Sequence, residues 1–212
     1  MAEKRRRLSA EERIEMILDA SERMLLSGPD GAAASMSQLA KEAGLSKGLL
    51  YHYFKDKADI YNALSQRGLR RLRLLIEGRL SDGQTGLEQL EQIGRTYVEF
   101  FETHPSDFDA IAHFEAFVPA ANEDEAYAEA AEGEAAGVFA FVASALEKGQ
   151  TDGTVRPGLD PVRTAIVAWS QLHGVLHTVR LKRAFLHATY GLGLRELTEP
   201  AIEMILRSVR AV

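Results

Sequence analysis

Residues 43–61 read AGLSKGLLYHYFKDKADIY, with two glycines, a serine, three tyrosines, a histidine and three lysines threaded through apolar positions. Gly44 stops one short helix, Ser46 caps the next, Phe54 closes it, and Asp56 caps a long helix that follows. Just upstream, Ser35 followed by Gln38 matches a capping box and starts the first of the two short helices. Two short helices joined by a tight glycine turn form a helix-turn-helix. Ala40 and Gly44 lie four apart, which suits a small residue where the helices cross and a glycine in the turn. Leu39, Ala43, Leu45 and Leu50 can fill the space between the helices, and Phe54 extends that apolar side. The opposite side carries Lys47, Tyr51 and His52 with the small Gly48 among them, a mixture that suits a DNA groove. The same spacing also fits a helical hairpin inside a larger bundle, with the tyrosines as core filler.

Outward from this stretch the chain reads as helix nearly throughout, and no segment sustains the alternation of a strand. Ile14, Ile17, Leu18, Met24 and Leu25 mark one face of a first helix, which SGPDGAA at 27–33 ends. The long fourth helix carries Arg67, Arg70, Arg71, Arg73 and Arg79, and SDGQTG at 81–86 is a loop. Further helices are expected from about 87 to His104, after Pro105–Ser106, from about 122 to 149, from Pro161 to about 183, and from about Thr198 to Arg210. Asp160 is an N-cap with Pro161 at the first helical position. The total is about nine helices, an all-α fold.

The 212 residues suffice for one generous domain or a small domain joined to a larger one. With no cysteine there is no disulfide, thiolate zinc site or cysteine nucleophile. No apolar run approaches the roughly 18 residues of a membrane span, and MAEKRRRLSAEERIEMILDA has no apolar segment behind its basic head, unlike a signal peptide. The expectation is a cytoplasmic protein with no membrane partner. The net charge of −6 is unevenly divided. Residues 1–80 hold 15 Lys+Arg against 11 Asp+Glu, while residues 81–212 hold 10 against 20. A basic front suggests a polyanion partner.

AGLSKGLLYHYFKDKADIYNAL, Ala43 to Leu64, resembles the DNA-binding signature of the tetracycline-repressor (TetR) family, and SMSQLAKE before it resembles that family's capped second helix. The resemblance is specific over about residues 10–65; the rest matches in helix count and layout. It implies a three-helix helix-turn-helix DNA-binding domain at 9–57 and a helical ligand-binding and dimerisation domain at 58–212. Carried over by position, Ser46, Lys47, Gly48, Tyr51, His52 and Lys57 face DNA, Leu50 and Phe54 are core, and Tyr53 lies between these roles. Leu49 stands where the family often has a DNA-contacting threonine, and Ser37 where an arginine is common, so two contacts differ. Residues 4–7 offer a basic arm for a minor groove, or a solubilising tail. The family binds as dimers, which implies a palindromic double-stranded operator and recognition helices about 34–36 Å apart.

For the body, the last two helices are the expected homodimer face. Val162, Ala165, Ala168, Leu172, Val175 and Val179 supply one stripe, and Ala201, Ile202, Ile205, Leu206 and Val209 the other; both stripes also fit intramolecular core. Tyr97, Phe101, Phe108, His113, Phe117, Trp169, His173 and His177 gather aromatic and polar groups suited to a small hydrophobic or aromatic effector. Phe101 and Phe108 flank a proline bend. His173 and His177, four apart, have a metal-holding spacing, and with His113 they suggest a second reading, an all-helical enzyme using three histidines. A third reading is a helical partner-binding protein without DNA activity. No nucleophile elbow, phosphate loop or carboxylate pair is present, so no catalytic residue, metal or cofactor is assigned. The leading expectation is a ligand-responsive DNA-binding transcriptional regulator, a repressor released from its operator by the effector.

Overall fold

The computed structural model describes residues 9–26, 34–117 and 133–211, with the backbone alone at 114–117. Among them are nine helices: α1 Ala10–Leu25, α2 Met36–Glu42, α3 Lys47–Tyr53, α4 Lys57–Glu77, α5 Gly86–Thr103, α6 Pro105–Phe117, α7 Glu134–Asp152, α8 Pro161–Tyr190 and α9 Leu194–Val209. No strand occurs among the described residues beyond one antiparallel bridge, Val155 to Arg210.

Packing divides the chain into two compact units. The first is 1–68 with 106–120, and the second is 69–105 with 121–212. The division therefore differs from the one expected at 57/58. The first turns of α4 pack with the head, and so does α6, because their apolar faces share its core.

In the first unit α1, α2, α3 and α4 each start at a side-chain cap that satisfies otherwise orphaned amides. Ser9 Oγ accepts from Glu12 N–H while Glu12 takes Ser9 N–H at 2.7 Å, and Ser35 and Gln38 make the same reciprocal pair. At α4, Asp56 accepts from Asp59 N–H at 2.9 Å and Asp59 accepts from Lys55 N–H at 3.0 Å. The core collects Ile17, Leu18, Leu39, Leu50, Phe54, Ile60 and Leu64, so the positions expected between the two short helices are where the head is sealed. Gly44 has φ +67°, a left-handed turn that a Cβ would strain. Gly68 lets α4 approach α6: a Cβ there would lie 3.0 Å from Asp107 Cβ.

One ion cluster ties α4 to α1. Arg67, with a side chain only 13% exposed, reaches Glu22 at 2.6 Å, Asp19 at 2.8 Å and Glu15 at 3.3 Å.

In the second unit α5 packs on α7, α7 on α8, and α8 and α5 on α9. Phe100, Leu146 and Leu176 are among its fully buried side chains. The start of α5 is capped from afar, with Gly86 N–H donating to Asp152 at 2.8 Å and Leu87 N–H to Thr154 at 3.2 Å.

Three helix limits differ from the sequence reading. α8 continues past 183 to Tyr190, because no breaker occurs before Gly191, which caps it at φ +66°; the continuation bends at Lys182, whose φ −120° and ψ 16° are not helical. α9 begins at Leu194 rather than Thr198, with Glu196 accepting from Gly193 N–H and Pro200 inside the helix. The helix expected over 122–149 is described from Glu134 and runs to Asp152; its expected first part lies outside the described residues.

The expected dimer stripes divide between the two roles left open for them. Ala165, Leu172, Val179, Ile202, Leu206 and Val209 are buried within the chain itself. Val162 of the expected stripe is exposed, and so are Ile166, Val167, Leu181, Phe185, Tyr190 and Met204 on the same two helices.

Candidate nucleic-acid interface and effector region

The recognition helix begins at Ser46, whose hydroxyl accepts from Leu49 N–H at 3.2 Å and so fixes the first turn of α3. Leu50, fully buried, and Phe54 pin the inner side of this seven-residue helix to the core. The opposite side leaves Ser46, Lys47, Gly48, Tyr51 and His52 exposed. Lys47 Nζ sits 5.7 Å from the centre of the Tyr51 ring, a cation–π distance that holds both side chains outward. A Cβ at Gly48 would meet nothing within 4 Å, so the chain's own packing does not require glycine there. Leu49 is half-buried.

Tyr53 has a partly internal role. It packs on the core and its hydroxyl accepts from Arg13 at 3.4 Å, and the His52 ring meets it edge-on. Lys57 opens α4, where the carboxylates of Asp56 and Asp59 already satisfy the local amides. The anion-binding capacity of that helix end is therefore partly spent within the chain. Arg67, Arg73 and Arg79 of the α4 region are likewise engaged inside it, by Glu15, Asp19 and Glu22, by Glu134 and Glu77, and by Glu99 respectively.

The residues expected around an effector fall into both units. Phe108 is fully buried in the first unit, and His113 stacks there on Tyr61 with ring centres 4.2 Å apart. Burial, with the charge of Lys57 adding to it, lowers the His113 pKa. The side chain of Phe117 lies outside the described residues.

In the second unit Tyr97, Trp169, His173 and His177 do come together. The Tyr97 ring stacks on Trp169 at 4.3 Å, and its hydroxyl is 2.6 Å from His173 Nδ1. His173 in turn stacks between Trp169 at 5.8 Å and His177 at 6.1 Å. Burial, with the neighbouring His177 adding to it, lowers the His173 pKa to about 4. A neutral His173 can pair with the Tyr97 hydroxyl in either tautomer, whereas the protonated ring would have to be stabilised in an apolar stack. Phe139, which the sequence reading omits, closes this cluster edge-on against Trp169 at 5.6 Å.

Of the three histidines, His113 belongs to the first unit and His173 and His177 to the second. Among the described residues no group of three or more His, Asp or Glu side chains could hold a metal.

Phe101 stands apart from the Tyr97 cluster, in a cavity of about 320 Å³ where α5 ends, α8 bends and α9 begins. Val179, Arg180, Arg183, Leu194, Glu102 and Pro105 complete its lining. Arg180 and Arg183 also escaped the sequence reading, though their three-residue spacing on one helix was a signal.

A helix-turn-helix head with an outward basic–aromatic face and an otherwise all-helical chain define the class of helix-turn-helix regulatory proteins. Residues 17–64 match the family described as bacterial regulatory proteins, tetR family, and residues 90–209 match its tetracyclin repressor-like C-terminal domain. The chain belongs to the TetR family.

It is 34% identical over 79 residues to an uncharacterised HTH-type transcriptional regulator of Mycobacterium tuberculosis, a match spanning 37% of this chain and 34% of that relative's length. Among solved structures, a protein of unknown function from Rhodococcus sp. RHA1 superposes with a TM-score of 0.71 at 23% identity, over 99% of this chain and 100% of that one. The regulator FadR from Bacillus subtilis, solved with stearoyl-CoA, gives 0.72 at 18% identity over 91% of this chain and 97% of its own. At these identities the structural likeness speaks to the fold. Among the described residues no helix is long and apolar enough to cross a membrane.

Proposed function

We propose that this chain is a cytoplasmic transcriptional repressor that binds a palindromic operator as a homodimer and leaves it when a small hydrophobic or aromatic effector binds the body. The observation that carries the reading is α3, pinned by Leu50 and Phe54 and turning Lys47, Gly48, Tyr51 and His52 outward. On this reading Lys47 and His52 meet base edges or phosphates, and Tyr51 and Lys57 hold phosphates. Gly48 allows close approach, and Ser46, Leu49 and Tyr53 border the contact.

The dimer reading is supported by Val162, Ile166 and Met204, apolar side chains on the last two helices that stay exposed. Gly174, with open space around it, continues the four-residue step of Val162 and Ile166 and would let a partner helix come close. FadR of B. subtilis was solved in complex with stearoyl-CoA, and the likeness of this chain's fold to it supports effector control here. An effector that prefers a body conformation with the wrong head spacing weakens DNA binding by its differential affinity.

Selection from a random duplex library tests the reading, with enrichment of a palindrome expected. A Tyr51→Ala, Lys57→Ala double variant that stays folded should bind the selected site at least tenfold more weakly, since two phosphate contacts are lost per protomer. Unchanged affinity would refute the assignment of this face.

A further inference from the structure

We infer that Leu49 reads a thymine in each operator half-site through the C5-methyl group of the base, an assignment that rests on the reading of α3 as the recognition helix. The placement follows from how that helix packs. Leu50 and Phe54, both buried, fix which side of α3 meets the head's core, and Tyr53 packs against the same core. At about 100° per residue, the direction opposite Leu50 and Phe54 passes through His52, and Leu49 stands about 60° from it. Leu49 therefore belongs to the outward half of the helix. It follows Gly48, where a Cβ would meet nothing within 4 Å. Its backbone is held, since Leu49 N–H donates to Ser46 Oγ at 3.2 Å and to the Ser46 carbonyl at 3.1 Å. Its side chain remains partly exposed.

The outward half is thus divided chemically. Lys47 and Tyr51 form the cation–π pair on one flank, Gly48 and His52 occupy the middle, and the apolar Leu49 forms the other flank. A leucine offers no hydrogen bond to a base edge. Guanine, adenine and cytosine present donors and acceptors to the major groove, whereas thymine adds a methyl group. Against a purely polar edge Leu49 would strip water from a donor or acceptor and return nothing. Against thymine both partners bury apolar surface, and one buried methyl is worth about fourfold in affinity. The bare Gly48 lets the backbone come close enough for the neighbouring side chain to reach the bases.

The test uses the full chain and the palindrome selected from a random duplex library. Each thymine of one half-site is replaced in turn by deoxyuridine, which removes the methyl and leaves the base pair intact. Fluorescence anisotropy is expected to show a position at which wild type loses about fourfold in affinity. Leu49→Met, which keeps an apolar side chain of similar volume, should keep that loss. Leu49→Ala and Leu49→Gln should bind the thymine and uracil duplexes alike, so the outcome does not hang on the folding of either variant. At the same position 5-methylcytosine should bind wild type more tightly than cytosine, with no such gain for Leu49→Ala. A loss at no thymine would overturn the proposal. So would a loss that Leu49→Ala retains in full, because the methyl would then be read by another side chain or through the shape of the duplex.

The selection itself separates the two readings. A palindrome with no methyl-sensitive thymine removes the role of Leu49 and leaves the regulator. Enrichment of no sequence at all removes the recognition helix, and Leu49 with it.

Discussion

His173 ties the stability of the body to pH with a sign and size that can be worked out. Its folded pKa of about 4 lies below the model-peptide value of 6.5, because the ring is buried in the stack with Tyr97, Trp169 and His177. A depressed pKa means that the unfolded chain takes up the proton first. The stability associated with neutral His173 is thus intact above pH 6.5 and is lost as pH falls toward 4. Linkage between those two values gives a loss of about 2 kcal/mol from pH 7 to pH 5, and about 3 kcal/mol once pH is below both.

His173→Asn is the reference, since its amide can stand in for Nδ1 toward the Tyr97 hydroxyl and does not titrate. Urea unfolding of both proteins at pH 7 and pH 5 reads the difference; His113 cancels because both proteins contain it, while the coupling of His173 to His177 belongs to the difference. Wild type should lose about 2 kcal/mol more than the variant over this interval. A difference below about 0.5 kcal/mol, or an NMR titration placing His173 near the ordinary 6.5, would refute the reasoning.

Gly48→Ala should separate folding from function. With open space at the Cβ position the substitution should stabilise the head by about 0.5–1 kcal/mol in thermal unfolding, while lowering operator affinity in fluorescence anisotropy, as the added methyl intrudes on the groove. Gly86→Ala should do the reverse, because its Cβ would collide with the backbone of Gly149 and the carbonyl of Ala145, neither of which can swing aside. A loss of about 3 kcal/mol is expected by denaturant unfolding. Gly83→Ala, in open space, is the control that should move stability little.

The parts of this fold legible in the sequence are those set by neighbours three or four residues apart. Ser35 with Gln38, Ser46, Asp56, and Asp160 before Pro161 all cap where their spacing says, since a cap needs only its own first turn. Periodicity also identified the apolar sides of α3 and α8, but it does not say which neighbour covers a side. Leu172 and Val179 go to the chain's own core while Val162 and Ile166 stay outside, a distinction made by α5, α7 and α9 together. His113 and His173 look like one chemical group along the chain and belong to different packing units. The bend at Lys182 has no proline or glycine to announce it, so only the packed helix reveals it. The cavity at the bend of α8 stayed hidden for the same reason, as its lining comes from three separated segments.

The clasp on Arg67 has a consequence for how this head would behave as a polyelectrolyte. A guanidinium neutralised by Glu15, Asp19 and Glu22 displaces no counterions from a DNA backbone, however basic α4 looks in sequence. The slope of log K against log salt, about −0.9 for each phosphate neutralised on duplex DNA, then gains nothing from Arg67. The salt dependence of operator binding would be shallower than the number of arginines on α4 suggests.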